Sequence, residues 1–175
     1  MINNKIGIIG LGYVGLPLAV EFSYHFKTFG FDLNNQRVAE LNNGIDLTLE
    51  VDNKNLQKQL RNNLKITSKI NDLKSCNYYI ITVPTPVDKN KKPDFNPLKN
   101  ASKTISKILK KGDTVIVEST VYPGATEEIC ATELEKFSNL TFNKDFFMGY
   151  SPERINPGDK KRTLSNIVKI TSGST

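Results

Sequence analysis

Lys5-Ile6-Gly7-Ile8-Ile9-Gly10-Leu11-Gly12-Tyr13-Val14-Gly15 is a short apolar run that ends in three glycines spaced G-x-G-x-x-G. Residues 5 to 9 read as a strand, the glycines as a tight turn, and the residues after them as a helix reaching about Phe26. Gly10 allows the turn out of the strand, Gly12 lets backbone approach a pyrophosphate without a Cβ in the way, and Gly15 lets the helix pack closely on the sheet. Backbone N–H groups near Tyr13 and Val14, at the helix start, point to where phosphates would lie. Pro17, close behind, lacks an N–H but needs none there.

The hexapeptide alone is weak evidence. Here a second strand near 28 to 32 ends in Asp32, an acid placed to accept from ribose hydroxyls and to repel the additional phosphate of NADP, so NAD is the cofactor this segment predicts. Arg37 complicates the preference, because a guanidinium can receive a 2′-phosphate, stack on adenine or lie against the ribose. A Gly-rich turn beside a satisfied surface Asp is the plain alternative.

Outward from this segment, apolar runs alternate with amphipathic stretches. A short helix over 35 to 43, broken at Gly44, is followed by another over 52 to 62, with Leu56 and Leu60 on one face. A strand is predicted near 64 to 67. Tyr78 to Val83 is a buried strand that stops at Pro84-Thr85-Pro86, and the polar stretch 84 to 97 is a long connection. Then come a helix over 98 to 110, a strand at 114 to 118, a loop from Ser119 to Gly124, a helix over 125 to 137, and strands near 146 to 150 and 167 to 171. The order predicts an α/β, Rossmann-like doubly wound domain, its sheet mainly parallel with helices on both faces. One domain fits the 175 residues.

A hydrophobic content of 38% is enough for a packed core. The net charge of +6 is scattered; its densest clusters, 89 to 92 and 160 to 162, fall in predicted loops without interleaved aromatics. That pattern argues for solvated surface rather than nucleic acid, with a mild field favouring an anionic small substrate. No leader or bilayer-length apolar run is visible, so a cytoplasmic protein without a membrane partner is expected. Cys76 and Cys130 read as small buried hydrophobes, neither a disulfide framework nor a metal site, and no metal is expected. His25 lies away from the predicted carboxyl edge, Glu118 reads as structural, and Glu127 and Glu128 suit the first turn of a helix.

Four segments exceed a generic nucleotide fold: Gly10 to Gly15; Thr82-Val83-Pro84-Thr85-Pro86; Glu118-Ser119-Thr120-Val121-Tyr122-Pro123-Gly124; and Tyr150-Ser151-Pro152-Glu153-Arg154-Ile155-Asn156-Pro157-Gly158. In this order they resemble the UDP-glucose and UDP-N-acetylhexosamine 6-dehydrogenase family. The last segment is most similar to the bacterial branch that makes UDP-N-acetylhexosaminuronic acids for surface polysaccharides, including the Vi-antigen type. The resemblance implies an NAD-dependent double oxidation of the C6 alcohol of a UDP-sugar to a carboxylate, with a cysteine holding the intermediate as a thioester. It places Val14, Asp32, Arg37, Thr85 and Thr120 on NAD, Thr120 on a catalytic water, and Glu153 as general base.

The placements have physical support, since ligands gather outside the carboxyl ends of strands and a partly buried Glu suits a base near neutral pH. Plainer roles stay open: Thr85 and Thr120 can cap turns, and Glu153 can pair with Arg154. The family's nucleophilic cysteine, its lysine and asparagine partners, the dimerising helix and the second nucleotide-sugar domain are expected beyond residue 175. The chain therefore reads as the amino-terminal cofactor domain of a homodimer or higher homo-oligomer, inactive by itself. Rival readings are a UDP-glucose 6-dehydrogenase domain, a non-catalytic NAD module, and a β-hydroxyacid dehydrogenase, for which Ser-Pro-Glu-Arg has no explanation.

Overall fold

The computed structural model describes residues 4–87, 89–154 and 167–175. Its strands are β1 Lys5–Ile9, β2 Lys27–Phe31, β3 Leu64–Thr67, β4 Tyr78–Ile81, β5 Thr114–Val117, β6 Phe147–Tyr150 and β7 Ser172–Gly173. They form one seven-stranded sheet in the order β3-β2-β1-β4-β5-β6-β7. β1 to β6 run parallel and β7 joins β6 antiparallel. The helices are α1 Gly15–Ser23, α2 Asn35–Asn42, α3 Asn53–Leu60, α4 Asn96–Ser106 and α5 Thr132–Ser138.

The apolar runs work because a strand turns alternate side chains to opposite faces. Ile6, Ile8, Leu64, Ile66 and Ile80 share one core with Leu16, Ala19 and Val20 of α1 and Leu56 of α3. Phe29, Phe31, Tyr79, Ile81, Val115 and Val117 share the other with Leu98, Ala101 and Ile105 of α4 and Leu134 of α5. Asn34 caps α2 by accepting from the N–H groups of Gln36 and Arg37, and Asp52 caps α3 by accepting from Lys54 and Asn55. Such caps are worth about 1 kcal/mol each.

Several boundaries differ from the sequence reading. α1 stops at Ser23, β4 stops at Ile81, and α4 spans Asn96–Ser106 with a proline in its first turn. The helix expected over 125 to 137 opens with a wider π turn, Thr126–Ala131, before α5. The expected strand at 167 to 171 is not formed; pairing with β6 begins immediately after it, at Ser172. The buried carboxylate of Glu118 accounts for this: Lys169 turns inward to pair with it, which leaves Val168 and Ile170 87% and 62% exposed. The lysine cluster at 160 to 162 and the end of the fourth motif, 155 to 158, lie outside the described residues.

Strand order reverses between β1 and β4, which opens a crevice at their carboxyl ends, where open α/β sheets bind ligands. The loops after Ile9, Phe31, Ile81, Val117 and Tyr150 all leave at this edge. His25 is exposed at the opposite edge, just before β2. Among the described residues no helix is long and apolar enough to cross a membrane.

Candidate functional site

Gly10 has a φ of +98°, a conformation closed to most side chains. Its N–H donates to the Phe31 carbonyl at 2.8 Å, which ties the turn to β2. Gly15 is required by packing: a Cβ there would stand 1.8 Å from the Gly10 carbonyl oxygen and 2.4 Å from Thr82 Oγ1. Thr82 itself donates to the Gly10 carbonyl at 2.8 Å, joining β4 to the turn.

Gly12 is different. A Cβ built on it meets no atom within 4 Å, so nothing in the protein requires a glycine at that position. Among the described residues, no protein acceptor takes the N–H groups of Gly12, Tyr13 or Val14. The turn thus presents open space and free donors at the start of α1, the arrangement that suits an anionic ligand. Tyr13 is half exposed beside it.

Asp32 accepts from the N–H of Leu11 at 2.8 Å through Oδ2 and from the N–H of Asn34 at 2.8 Å through Oδ1. Each oxygen keeps a further lone pair, so the carboxylate can brace the turn and still receive ribose hydroxyls. Arg37 donates from Nε to the Leu11 carbonyl at 3.0 Å and from Nη2 to Asp46 Oδ1 at 2.8 Å. Its Nη1 is buried and has no hydrogen-bond acceptor among the described residues.

Asp46 was not identified as a site residue from the sequence. Its carboxylate is buried and accepts from the Thr48 hydroxyl and from the N–H groups of Thr48, Glu50 and Val51. Burial pushes its pKa up, but these hydrogen bonds, with that of Arg37, outweigh burial and hold it below the ordinary value. The signal available was Asp46-Leu47-Thr48, a sequence suited to an Asx turn.

The next three strand ends stand side by side. Thr85 Oγ1 is buried without a partner among the described residues. Ser119 donates its hydroxyl to the Val83 carbonyl at 2.6 Å, and Thr120, next to it, is exposed. Ser151 donates its N–H to the Val117 carbonyl at 3.0 Å, while its Oγ is a second buried hydroxyl without a partner among the described residues. Glu153 follows, partly buried, and Arg154 is exposed. Thr82, Ser119 and Ser151 all stand in the quoted motifs, but their bonds depend on neighbouring strands and had no signature in one sequence.

Cys76 and Cys130 are both free and fully buried. Burial pushes each thiol up to about 12, so neither supplies a thiolate near neutral pH. Tyr122 donates to Glu128 Oε2 at 2.7 Å, which holds the phenol pKa above its ordinary value. No group of three or more His, Cys, Asp or Glu side chains is placed to hold a metal among the described residues.

These residues fit NAD on observations of the fold itself: open space at Gly12, free N–H donors after it, an acid between β2 and α2, and orphan donors on Thr85 and Arg37. Comparison with known proteins agrees. Residues 4–175 match the family described as the UDP-glucose/GDP-mannose dehydrogenase family, NAD binding domain. The chain is 60% identical over 171 residues to a UDP-N-acetyl-D-glucosamine 6-dehydrogenase of Pseudomonas aeruginosa, covering 98% of this chain and 40% of that protein. It is 58% identical, with the same coverage, to a protein of that name from Salmonella typhi. A solved UDP-D-ManNAc dehydrogenase from Pyrococcus horikoshii superposes with a TM-score of 0.86 at 32% identity, over 97% of this chain and 41% of that one. The chain thus spans about two-fifths of the length of the relatives it matches. A glycine turn open to a diphosphate, built on this sheet and matched along nearly its whole length, places the chain in the UDP-glucose/GDP-mannose dehydrogenase family, whose NAD-binding domain it forms.

Proposed function

We propose that the chain is the cofactor domain of a UDP-N-acetylhexosamine 6-dehydrogenase that oxidises the sugar C6 alcohol to a carboxylate for surface polysaccharide synthesis in the cytoplasm. The observation that carries the reading is the convergence of the Gly12 turn, Asp32, Thr85, Thr120 and Glu153 on one sheet edge. NAD, when bound, supplies the hydride acceptor.

The chain's own residues bind and orient. Gly10 and Gly15 shape the turn, and the N–H groups of Gly12, Tyr13 and Val14 hold the diphosphate. Asp32 takes the adenosine ribose, favouring NAD over NADP, and the free Nη1 of Arg37 adds a donor on the same side. Because Asp46 holds Nη2 and the Leu11 carbonyl holds Nε, Arg37 is poorly placed to seek a 2′-phosphate. The Thr85 hydroxyl meets the far part of the cofactor. Thr120 helps order a water, and Glu153 moves a proton from that water or from the substrate alcohol.

With both cysteines buried and their thiols pushed up to about 12, these 175 residues bind NAD but offer no thiolate to hold a thioester, so they do not carry the oxidation through to the carboxylate by themselves. The test is NADH formation by the full-length protein with UDP-N-acetylglucosamine, UDP-N-acetylgalactosamine and UDP-glucose. Turnover of an N-acetylhexosamine at more than about ten times the kcat/KM for UDP-glucose supports the reading, a ratio worth about 1.4 kcal/mol. Preference for UDP-glucose, or NAD binding with no turnover of any UDP-sugar, overturns it.

A further inference from the structure

We propose that Phe95 and Tyr122 form an aromatic clamp that fixes the spacing between the loops bearing Thr85 and Thr120, and so act as positioning residues for the cofactor site. The inference rests on the proposed roles of those threonines and assigns a task to two residues that take no part in them.

The two loops leave adjacent parallel strands, β4 and β5, and such neighbours diverge unless something joins them. Two links do so. The inner one is the Ser119 hydroxyl on the Val83 carbonyl at 2.6 Å, immediately before Thr120 on one side and two residues before Thr85 on the other. The outer one is the edge-to-face contact of Phe95 with Tyr122, ring centroids 5.4 Å apart at 72°.

Phe95 is ten positions beyond Thr85, yet it is mechanically close to it. The intervening loop folds back on itself: Val87 pairs with Pro93, and the Asp94 N–H donates to the Pro86 carbonyl at 2.7 Å. Phe95 therefore follows a residue bonded to Thr85's neighbour. Tyr122 sits two residues after Thr120, and its hydroxyl is held by Glu128 in the first turn of the π segment. A tyrosine 41% exposed contributes little to the core, and its ring is spent on this contact. The clamp runs from the π segment through Tyr122 and Phe95 to the threonine whose buried hydroxyl awaits a partner.

The test measures NAD affinity in the full-length protein for Phe95→Ala, Tyr122→Ala, Thr85→Val and the doubles. Each alanine variant is expected to weaken NAD by about three- to tenfold, the range of a lost aromatic pair. The double alanine variant should be no weaker than the worse single. Thr85→Val should cost less in the Phe95→Ala background than in the wild type, because an unpositioned hydroxyl has less to lose. Tyr122→Phe keeps the ring contact and should retain NAD affinity within about twofold, which separates the clamp from the hydrogen bond to Glu128. Phe95→Leu serves if the alanine variants fold poorly, with Tyr122→Phe as its folded reference. Additive effects, or unchanged affinity in folded Phe95 and Tyr122 variants, overturn the clamp. Failure of the wild type to bind NAD would instead strike the underlying reading of the site.

Discussion

The guanidinium of Arg37 and the carboxylate of Asp46 meet at 2.8 Å, the acid fully buried and the arginine side chain 11% exposed. The pair joins the start of α2 to the loop before α3, and through Nε it also holds the Leu11 carbonyl of the glycine turn. Breaking such a pair from one side leaves a buried charge uncompensated, at about 3–5 kcal/mol. Asp46→Ala should therefore lower the urea midpoint strongly and weaken NAD as the turn loosens. The pH dependence has a definite sign. Asp46 is held below its ordinary value of 3.8, so its contribution is complete above that pH and is lost as the pH falls through the lower folded value. The stability gap between wild type and Asp46→Asn should be full near neutrality and close in that acid range, as followed by urea melts.

Gly12 and Gly15 should behave oppositely. Gly15→Ala places a methyl 1.8 Å from the Gly10 oxygen, and loss of the folded protein in thermal melts is expected. Gly12→Ala meets nothing in the protein and should melt within about 2 °C of wild type, as surface changes commonly do. Its NAD affinity should nonetheless fall about tenfold or more, since the methyl occupies space meant for a diphosphate. Unchanged affinity by calorimetry would remove the turn from the site.

Thr85→Val removes a buried hydroxyl that has no partner among the described residues. Deleting an unsatisfied polar group while keeping its shape is neutral or stabilising, by about 1 kcal/mol. Thermal melts should show an equal or higher midpoint, whereas the Kd for NAD should rise about three- to tenfold with the lost hydrogen bond. A falling midpoint would mean that the hydroxyl has a structural partner.

Asp32→Asn is instructive because both oxygens of the acid are in use. An amide offers one acceptor oxygen, so either Leu11 or Asn34 loses its bond, at about 1–2 kcal/mol. Removing the charge also removes the repulsion toward a 2′-phosphate. The ratio of NADP to NAD affinity should rise about tenfold, measured by titration of both nucleotides.

Cys76 and Cys130 should be silent toward a thiol reagent in the folded protein near pH 8. Both thiols are pushed up to about 12 by burial, and both are shielded by the core. Release of colour from an aromatic disulfide should track the unfolding rate as urea is added. Fast labelling without denaturant would show the packing around α4 and β4 to be looser than described.

How much of this was legible in the sequence depends on how local the cause was. Gly10, Gly15 and Asp32 could be read directly, because a tight turn followed by a strand ending in an acid leaves its signature within a few tens of residues. The buried strands were legible as well: the apolar runs Ile6 to Ile9 and Tyr79 to Ile81 are buried throughout and could be read with no knowledge of the partner strand. Lys169 was misread for the opposite reason. Val168 and Ile170 suggested a strand, while the deciding partner, Glu118, lies on another element entirely. The π turn over Thr126–Ala131 escaped because six residues are too few for its period to be told from that of an α-helix. Asp46 could be read at most as an Asx turn with Thr48, since its ion pair with Arg37 forms between separate segments of the chain.

Thr82, whose hydroxyl closes on the Gly10 carbonyl, also bears on how the molecule is made. Synthesis delivers β1, α1 and β2 first, but the strand that completes the glycine turn reaches the tunnel exit only much later, and the loop of Thr120 later still. A nascent chain therefore carries the recognisable hexapeptide well before it has a pocket, and a ligand that grips only the finished pocket cannot stabilise it during that interval. The early half must persist on the ribosome by the packing of Leu16, Ala19 and Val20 against Ile6 and Ile8, with the coenzyme adding its weight only at the end.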